Sequence, residues 1–163
     1  MTMEATQRPE IEAPENRVEV REQATRLSLL SKEQALSEWD VLRKFFDLVI
    51  PATFGRRDIE SVRAQVEDGR ANVVIAWNPD PKAPVIYAAF LIEAEQYIDK
   101  KVFLITLCGG GRIEEWGHLW PHFRNMAAEL GFDQIEINGR PGWSKYVGSK
   151  AVRHTFIEEL KHE

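Results

Sequence analysis

Two stretches in the first half of the chain carry apolar residues at helical spacing. In the first, Ser31 is suited to cap a helix and Gln34 stands at the third position of a capping box. Apolar residues then recur at three- and four-residue intervals as far as Val49. The pattern predicts one helix that stops before Pro51, because the residue before a proline avoids the α region. A second helix is predicted over residues 59–66, ahead of an Asp-Gly turn.

Three runs rich in β-forming residues follow, at 72–77, 85–93 and 101–108. The second run is expected to continue towards Tyr97. A proline-rich turn separates the first two runs, and an Asp-Lys turn precedes the third. Strands joined by such short turns pair with their neighbours in opposite directions. The pattern therefore predicts an antiparallel meander.

The third run enters three consecutive glycines at 109–111, and a helical pattern begins at Arg112. A strand, a glycine loop and a helix is the local geometry that holds phosphates in many folds. A tight strand-to-helix turn that needs positive φ angles is the alternative explanation of the glycines. Glu114 and Glu115 would lie in the first helical turn, where they suit the helix dipole and repel a pyrophosphate.

The helical pattern after the glycines contains Pro121, which removes a backbone hydrogen bond. Either the helix bends near Gly117, or a short turn precedes a helix that starts at Trp120. Strands are then predicted at 132–138 and 152–158, and Trp143 is expected to anchor the turn between them on the core.

Charge and composition exclude several classes of protein. A net charge of −5 and a pI of about 5.5 disfavour general nucleic-acid binding. No apolar run approaches the roughly 20 residues of a membrane span, and the N-terminus lacks a signal-peptide pattern, so neither secretion nor membrane insertion is expected. Cys108 is the only cysteine, which excludes an internal disulfide and a cysteine-built zinc site.

Residues 1–24 are predicted to form an extended arm, because they hold two prolines, many charges and few large apolar side chains. Such an arm becomes ordered on a partner chain or in a groove of its own domain. Residues 25–163 are predicted to form one domain.

Two further candidate chemistries are weak. His118 and His122 are spaced like two metal ligands on one helix, but a third ligand is missing, so exposed histidines and no metal site are expected. Cys108 has no nearby catalytic partner in the sequence and is expected to be a small buried apolar residue.

The order of these elements resembles the GNAT (N-acyltransferase) fold, and two motifs resemble a family of small GNAT-like proteins of tailed bacteriophages. The motifs are Leu-Cys-Gly-Gly-Gly-Arg-Ile-Glu-Glu-Trp at 107–116 and Leu-Gly-Phe-Asp-Gln-Ile-Glu-Ile-Asn-Gly-Arg-Pro-Gly-Trp at 130–143. The resemblance covers residues 31–160. It implies an α+β (α/β) fold with a central, mostly antiparallel mixed sheet flanked by helices.

In an active GNAT enzyme, the glycine loop and following helix hold the pyrophosphate of acetyl-CoA. The resemblance implies that role for four residues of this chain, Gly109, Gly110, Gly111 and Arg112. Glu93 or Glu95 would be the general base, unless this strand simply leaves the core into solvent, and Tyr146 the general acid. However, active members carry Gln/Arg-x-x-Gly-x-Gly/Ala, and this chain has Cys-Gly-Gly-Gly-Arg at 108–112.

The resemblance, together with the differences from the motif of active members, leads to three hypotheses for the function. The leading hypothesis is a catalytically degenerate protein of the virion or the host cytoplasm that serves as a structural or assembly component. In that case the arm would contact other virion proteins, or the chain would self-associate, and no cofactor is expected. The alternative is an acetyl-CoA-dependent N-acetyltransferase, and the third is a phage effector that binds a host protein.

Overall fold

A computed structural model describes residues 25–80, 82–139, 143, 145 and 155–161. Five strands form a single sheet: β1 Arg26–Leu29, β2 Ala71–Asn78, β3 Val85–Gln96, β4 Lys101–Gly110 and β5 Gln134–Ile137. The described residues also contain five α-helices: α1 Lys32–Ser37, α2 Trp39–Asp47, α3 Ile59–Glu67, α4 Ile113–Trp116 and α5 Trp120–Glu129. Short 3₁₀ turns lie at Ile50–Thr53 and Gly117–Leu119. No described helix is both long and apolar enough to cross a bilayer.

The strands lie in the sheet in their order along the chain. β1 to β4 are antiparallel neighbours, which confirms the predicted meander, and β5 runs parallel to β4. The pairing of β4 with β5 extends only from Val102 to Ile105, whereas β4 continues along β3 as far as Gly110. The second half of β4 therefore has a strand neighbour on one side alone, within the part of the chain that the structure describes.

Helices cover both faces of the sheet. On one face, α1, α2 and α3 bury an apolar cluster against β2, β3 and β4 that includes Leu42, Phe46 and Leu91. On the other face, α4 and α5 pack on a second cluster that includes Phe90 and Phe123. The sheet is thus the middle of three layers, which is the arrangement that gives each amphipathic helix an apolar surface to bury.

The first predicted helix is interrupted. The capping box is present, since Ser31 Oγ accepts from the Gln34 backbone N–H at 3.1 Å and Gln34 Oε1 accepts from Ser31 N at 2.9 Å. However, the helical hydrogen-bond pattern breaks at Glu38, between α1 and α2. Ser37 Oγ donates to the Gln34 carbonyl at 2.9 Å, a local side-chain bond of the kind that competes with helix geometry.

Two other predictions need correction. The short strand β1 was not expected from the sequence, because four residues are too few to show an alternating pattern. The last strand predicted, at 152–158, is described only from Thr155, and residues 155–161 contain neither helix nor strand. In contrast, the second option for the helix after the glycines is confirmed: a 3₁₀ turn precedes α5, which starts at Trp120 with Pro121 in its first turn.

Candidate functional site

The first two of the three glycines belong to the sheet. Gly109 and Gly110 are the last residues of β4, opposite Ala89 and Ala88 of β3. A Cβ on Gly109 would stand 1.9 Å from the carbonyl oxygen of Phe45 in α2. Gly109 is therefore required for the close approach of α2 to the end of β4.

Gly110 is required for a different reason. Its φ angle is +127°, which disfavours an L side chain, and a Cβ there would stand 2.4 Å from the Tyr87 carbonyl oxygen. Gly111 has open space, with nothing within 4 Å of an added Cβ. Of the three glycines, Gly111 is the one that packing leaves open.

The polar groups of the glycine loop are engaged within the chain. The Gly111 amide donates to the Tyr87 carbonyl at 3.2 Å, and the Gly111 carbonyl accepts from Trp116 Nε1 at 3.1 Å. The Arg112 guanidinium donates to Glu115 at 3.3 Å and lies 5.1 Å from the centre of the Tyr87 ring. A pyrophosphate would have to compete with each of these contacts.

Arg112 also has an unusual backbone. Its φ of 55° and ψ of 44° lie in the left-handed region, which non-glycine residues adopt rarely. Glu114 and Glu115 follow in the first turn of α4, as the sequence predicts. Strained backbone of this kind is often found at functional sites, yet the two carboxylates make this helix start unfavourable for an anion.

Trp143 packs where the sequence places it, on the core. Its ring centre lies 5.7 Å from that of Trp116 and 6.4 Å from that of Trp120. A Cβ on Gly139, just after β5, would stand 2.6 Å from the same indole. The Trp143 ring therefore connects the end of β5 with the helices that follow the glycines.

The candidate base Glu93 lies in a polar network near the C-terminal end of β3, away from the glycine loop. Its Oε2 accepts from Arg57 Nη2 at 2.6 Å and its Oε1 accepts from Gln65 Nε2 at 3.0 Å. Both carboxylate oxygens are thus occupied, so proton transfer to Glu93 would disturb an ion pair. Glu93 lies five residues along β3 from Ala88, the neighbour of Gly110, which corresponds to about 17 Å.

Glu95 is exposed near the end of β3, and its carboxylate makes no hydrogen bond or ion pair within the described residues. Tyr146 lies outside the residues that the structure describes. The structure therefore does not bring Glu93 or Glu95 near the glycine loop, and the assignment of base and acid stays a prediction.

Cys108 is partly buried beside the second apolar cluster. Burial raises the pKa of its thiol from 9.0 to about 12, because the thiolate loses its hydration. At neutral pH the side chain is an uncharged thiol. This environment suits a small apolar residue, as expected from the sequence, and not a nucleophile.

His118 and His122 are both exposed, as predicted, and they lie in different elements, the 3₁₀ turn and α5. Among the described residues, no group of three or more His, Cys, Asp or Glu side chains is placed to hold a metal ion.

Sequence reasoning missed the network around Glu93. No sequence pattern assigns a role to residues 53–57, whereas Arg57 reaches both α3 and β3. The one available signal was the Arg56-Arg57 pair directly before Asp58, the residue that caps α3. Nothing local indicates that Glu93 is the partner, because the two residues are 36 positions apart.

Comparison with solved structures supports the GNAT-like fold, whereas comparison of sequences finds no match. No protein-family model and no curated protein sequence matches the chain. Among solved structures, it is similar to an aminoglycoside acetyltransferase from an uncultured soil metagenomic sample, solved with sisomicin, with a TM-score of 0.61 and 14% identity. That similarity covers 85% of this chain and 98% of the other.

Two further structures show the same relationship. A protein described as a "probable acetyltransferase" gives a TM-score of 0.60 at 13% identity, and a "possible acetyltransferase" from Clostridium difficile 630 gives 0.57 at 12%. Each match covers 85% of this chain and 99% of the other. At these identities the likeness concerns the fold. The chain has a GNAT-like fold, a mixed five-stranded sheet flanked by helices, as the order of its elements predicts.

Proposed function

We propose that this chain is a catalytically degenerate GNAT-fold protein that acts by binding other proteins. The observation that carries the proposal is the engagement of the glycine loop within the chain. The Gly111 amide, a backbone donor expected to meet a pyrophosphate, already donates to the Tyr87 carbonyl. The residues present therefore do not fit the pyrophosphate of acetyl-CoA.

Electrostatics favour the same interpretation. A pyrophosphate at the start of α4 would lie beside Glu114 and Glu115. Like charges at such short range repel even in partly screened surroundings. The four-residue α4 also has too short a dipole to offset this repulsion.

The finer part of the proposal is a role in a phage particle or its assembly. It rests on the resemblance of residues 107–116 and 130–143 to small proteins of tailed bacteriophages. Residues 1–24, rich in charge and poor in large apolar side chains, are the proposed contact with other particle proteins.

Calorimetric titration with acetyl-CoA tests the degenerate site. The wild-type protein is expected to release no binding heat under conditions in which an active GNAT acetyltransferase binds. In the doubly substituted Glu114→Gln/Glu115→Gln protein, any affinity for acetyl-CoA should rise, because the repelling carboxylates are gone. Micromolar binding by the wild type would overturn the proposal.

The role in a particle is tested separately. Purified virions of the phage that encodes this chain are expected to contain it by mass spectrometry, and deletion of residues 1–24 is expected to prevent its incorporation. Complete absence of the full-length protein from particles and from assembly intermediates would contradict that role.

The second candidate is an acetyl-CoA-dependent N-acetyltransferase, and the similarity to acetyltransferase structures over nearly their whole length favours it. Its site would use Gly109 to Arg112 for the cofactor, Glu93 or Glu95 as base and Tyr146 as acid. Gly111→Glu is the sharpest variant, because Gly111 has space for a side chain and a negative charge there would repel the cofactor. Micromolar acetyl-CoA binding that is lost in Gly111→Glu would establish this candidate.

A further inference from the structure

A cleft of about 400 Å³ lies on the helical face formed by α3, far from the glycine loop. Three arginines and three neutral residues line it: Arg56, Arg57, Ser61, Ala64, Gln65 and Arg70. Among the described residues, no carboxylate lines the cleft, although the chain as a whole carries a net charge of −5. The concentration of positive charge is therefore local.

Arg57 is the rigid member of this group. Its Nη1 donates to Gln65 Oε1 at 2.7 Å and its Nη2 donates to Glu93 at 2.6 Å. The Arg57 side chain is 22% exposed and that of Glu93 15%, so this ion pair is largely withdrawn from water. A guanidinium has five N–H donors, and the contacts to Gln65 and Glu93 fix its orientation while leaving donors for a ligand.

The other two arginines are weakly neutralised. Arg56 donates to the Thr53 carbonyl at 3.3 Å and has no carboxylate within ion-pair distance among the described residues. Arg70 pairs with Asp68 at 2.9 Å, but the two side chains are 60% and 59% exposed. Exposed pairs of this kind contribute little, so Arg70 can exchange Asp68 for another anion at small cost.

We propose that this cleft binds a small molecule that carries a phosphate group. Guanidinium groups match the geometry and charge of phosphate oxygens. The cleft is open to solvent, so a small anion can reach the guanidinium groups directly. Gln65 supplies a neutral polar group beside the three charges.

The cleft is independent of the glycine loop. Arg57 of the cleft donates to Glu93, and Glu93 pairs with Leu104 of β4. Gly110, at the other end of β4, pairs with Ala88. The two places are separated by about 17 Å along the sheet. An anion bound in the arginine cleft is therefore a separate event from cofactor binding at the glycine loop, and each can be tested without the other.

Calorimetric titration of the full chain with pyrophosphate, inorganic phosphate and ADP tests the proposal. The wild type is expected to bind at least one of these. Arg56→Ala/Arg70→Ala is expected to weaken that binding about a hundredfold, because two charge-assisted contacts are lost. Preference for ADP over pyrophosphate would identify a nucleotide as the source of the phosphate, and the reverse preference would identify the free anion; either supports the site.

Arg63→Ala is the matched control, because Arg63 is on the same helix and pairs with Glu67, but does not line the cleft. It is expected to bind as the wild type does. Thermal unfolding of each variant checks that the fold is retained. The proposal is overturned if no probe binds, if the double variant binds normally, if Arg63→Ala loses binding equally, or if only Arg112→Ala abolishes it.

Discussion

The carbonyl oxygen of Phe45 lies so close to Gly109 that an added Cβ would be only 1.9 Å away. Phe45 belongs to α2 and Gly109 to the end of β4, so this contact is part of the packing of the helix on the sheet. The first glycine of the loop is thus explained by packing between two elements, and a bound phosphate is not needed to account for it.

Gly109→Ala is predicted to destabilise the protein by about 3 kcal/mol, because α2 or β4 has to shift to admit a methyl group. Gly111→Ala is the matched substitution two residues later, and it should change the free energy of unfolding little, since nothing lies within 4 Å of its Cβ. Urea denaturation of both variants measures the difference. Equal stability of the two would show that Gly109 is not tightly packed.

Glu93→Gln is predicted to cost about 2 kcal/mol, because the largely buried Arg57 loses its counter-charge. Glu67→Gln removes the partner of Arg63 in an exposed pair and should cost less than about 0.5 kcal/mol. Chemical denaturation at low and at high salt compares them. If the two losses agree, the Arg57–Glu93 pair contributes no more than a surface pair.

Trp116→Phe is predicted to destabilise the chain about 1 kcal/mol more than Trp120→Phe. Both indoles are buried and both lose the same part of the ring, but Trp116 Nε1 donates to Gly111, whereas Trp120 Nε1 has no hydrogen-bond partner among the described residues. Thermal unfolding of the pair isolates the hydrogen bond. A larger loss in Trp120→Phe would contradict this assignment.

Cys108 is predicted to make stability fall at alkaline pH. Because the pKa of the thiol rises from 9.0 to about 12 on folding, the folded state retains a proton that the unfolded state releases between these values. The contribution is full below pH 9.0 and is lost as pH rises through about 12. Cys108→Ala lacks this term, so the difference in unfolding free energy between the two proteins should shrink with rising pH.

The same thiol is predicted to react slowly with iodoacetamide at neutral pH in the native state, and rapidly after denaturation. Alkylation followed by mass spectrometry measures both rates. Native labelling as fast as that of the denatured chain would show that the thiol is not protected by burial.

Elements whose signals are local could be predicted from the sequence. Ser31 and Gln34 form the capping box that their spacing indicates, and Pro121 falls in the first turn of α5. The three-strand meander follows from short turns between β-rich runs. In each case the interactions that decide the structure join residues a few positions apart, so the sequence itself carries the information.

The end of the first helix and the strand β1 could not be predicted from the sequence. The helix breaks at Glu38 although the apolar spacing continues across it, and α1 and α2 pack on the same side of the sheet. β1 is specified by its pairing with β2, which lies 45 to 51 residues later in the chain, and its own four residues carry almost no pattern.

By itself the sequence determined most of the helices and the central strands, and from their order the likeness to the GNAT fold, because amphipathic periods and turn residues act locally. Only the tertiary structure showed why glycines occupy these positions. Gly109 permits the close contact with Phe45, and Gly110 permits the close contact with Tyr87. Gly111 is the one of the three that has space for a side chain. The tertiary structure also decided that Glu93 is bound to Arg57 and that three arginines share one cleft. These relationships join residues distant in sequence, and their geometry exists only once the sheet and its two helical layers are packed together.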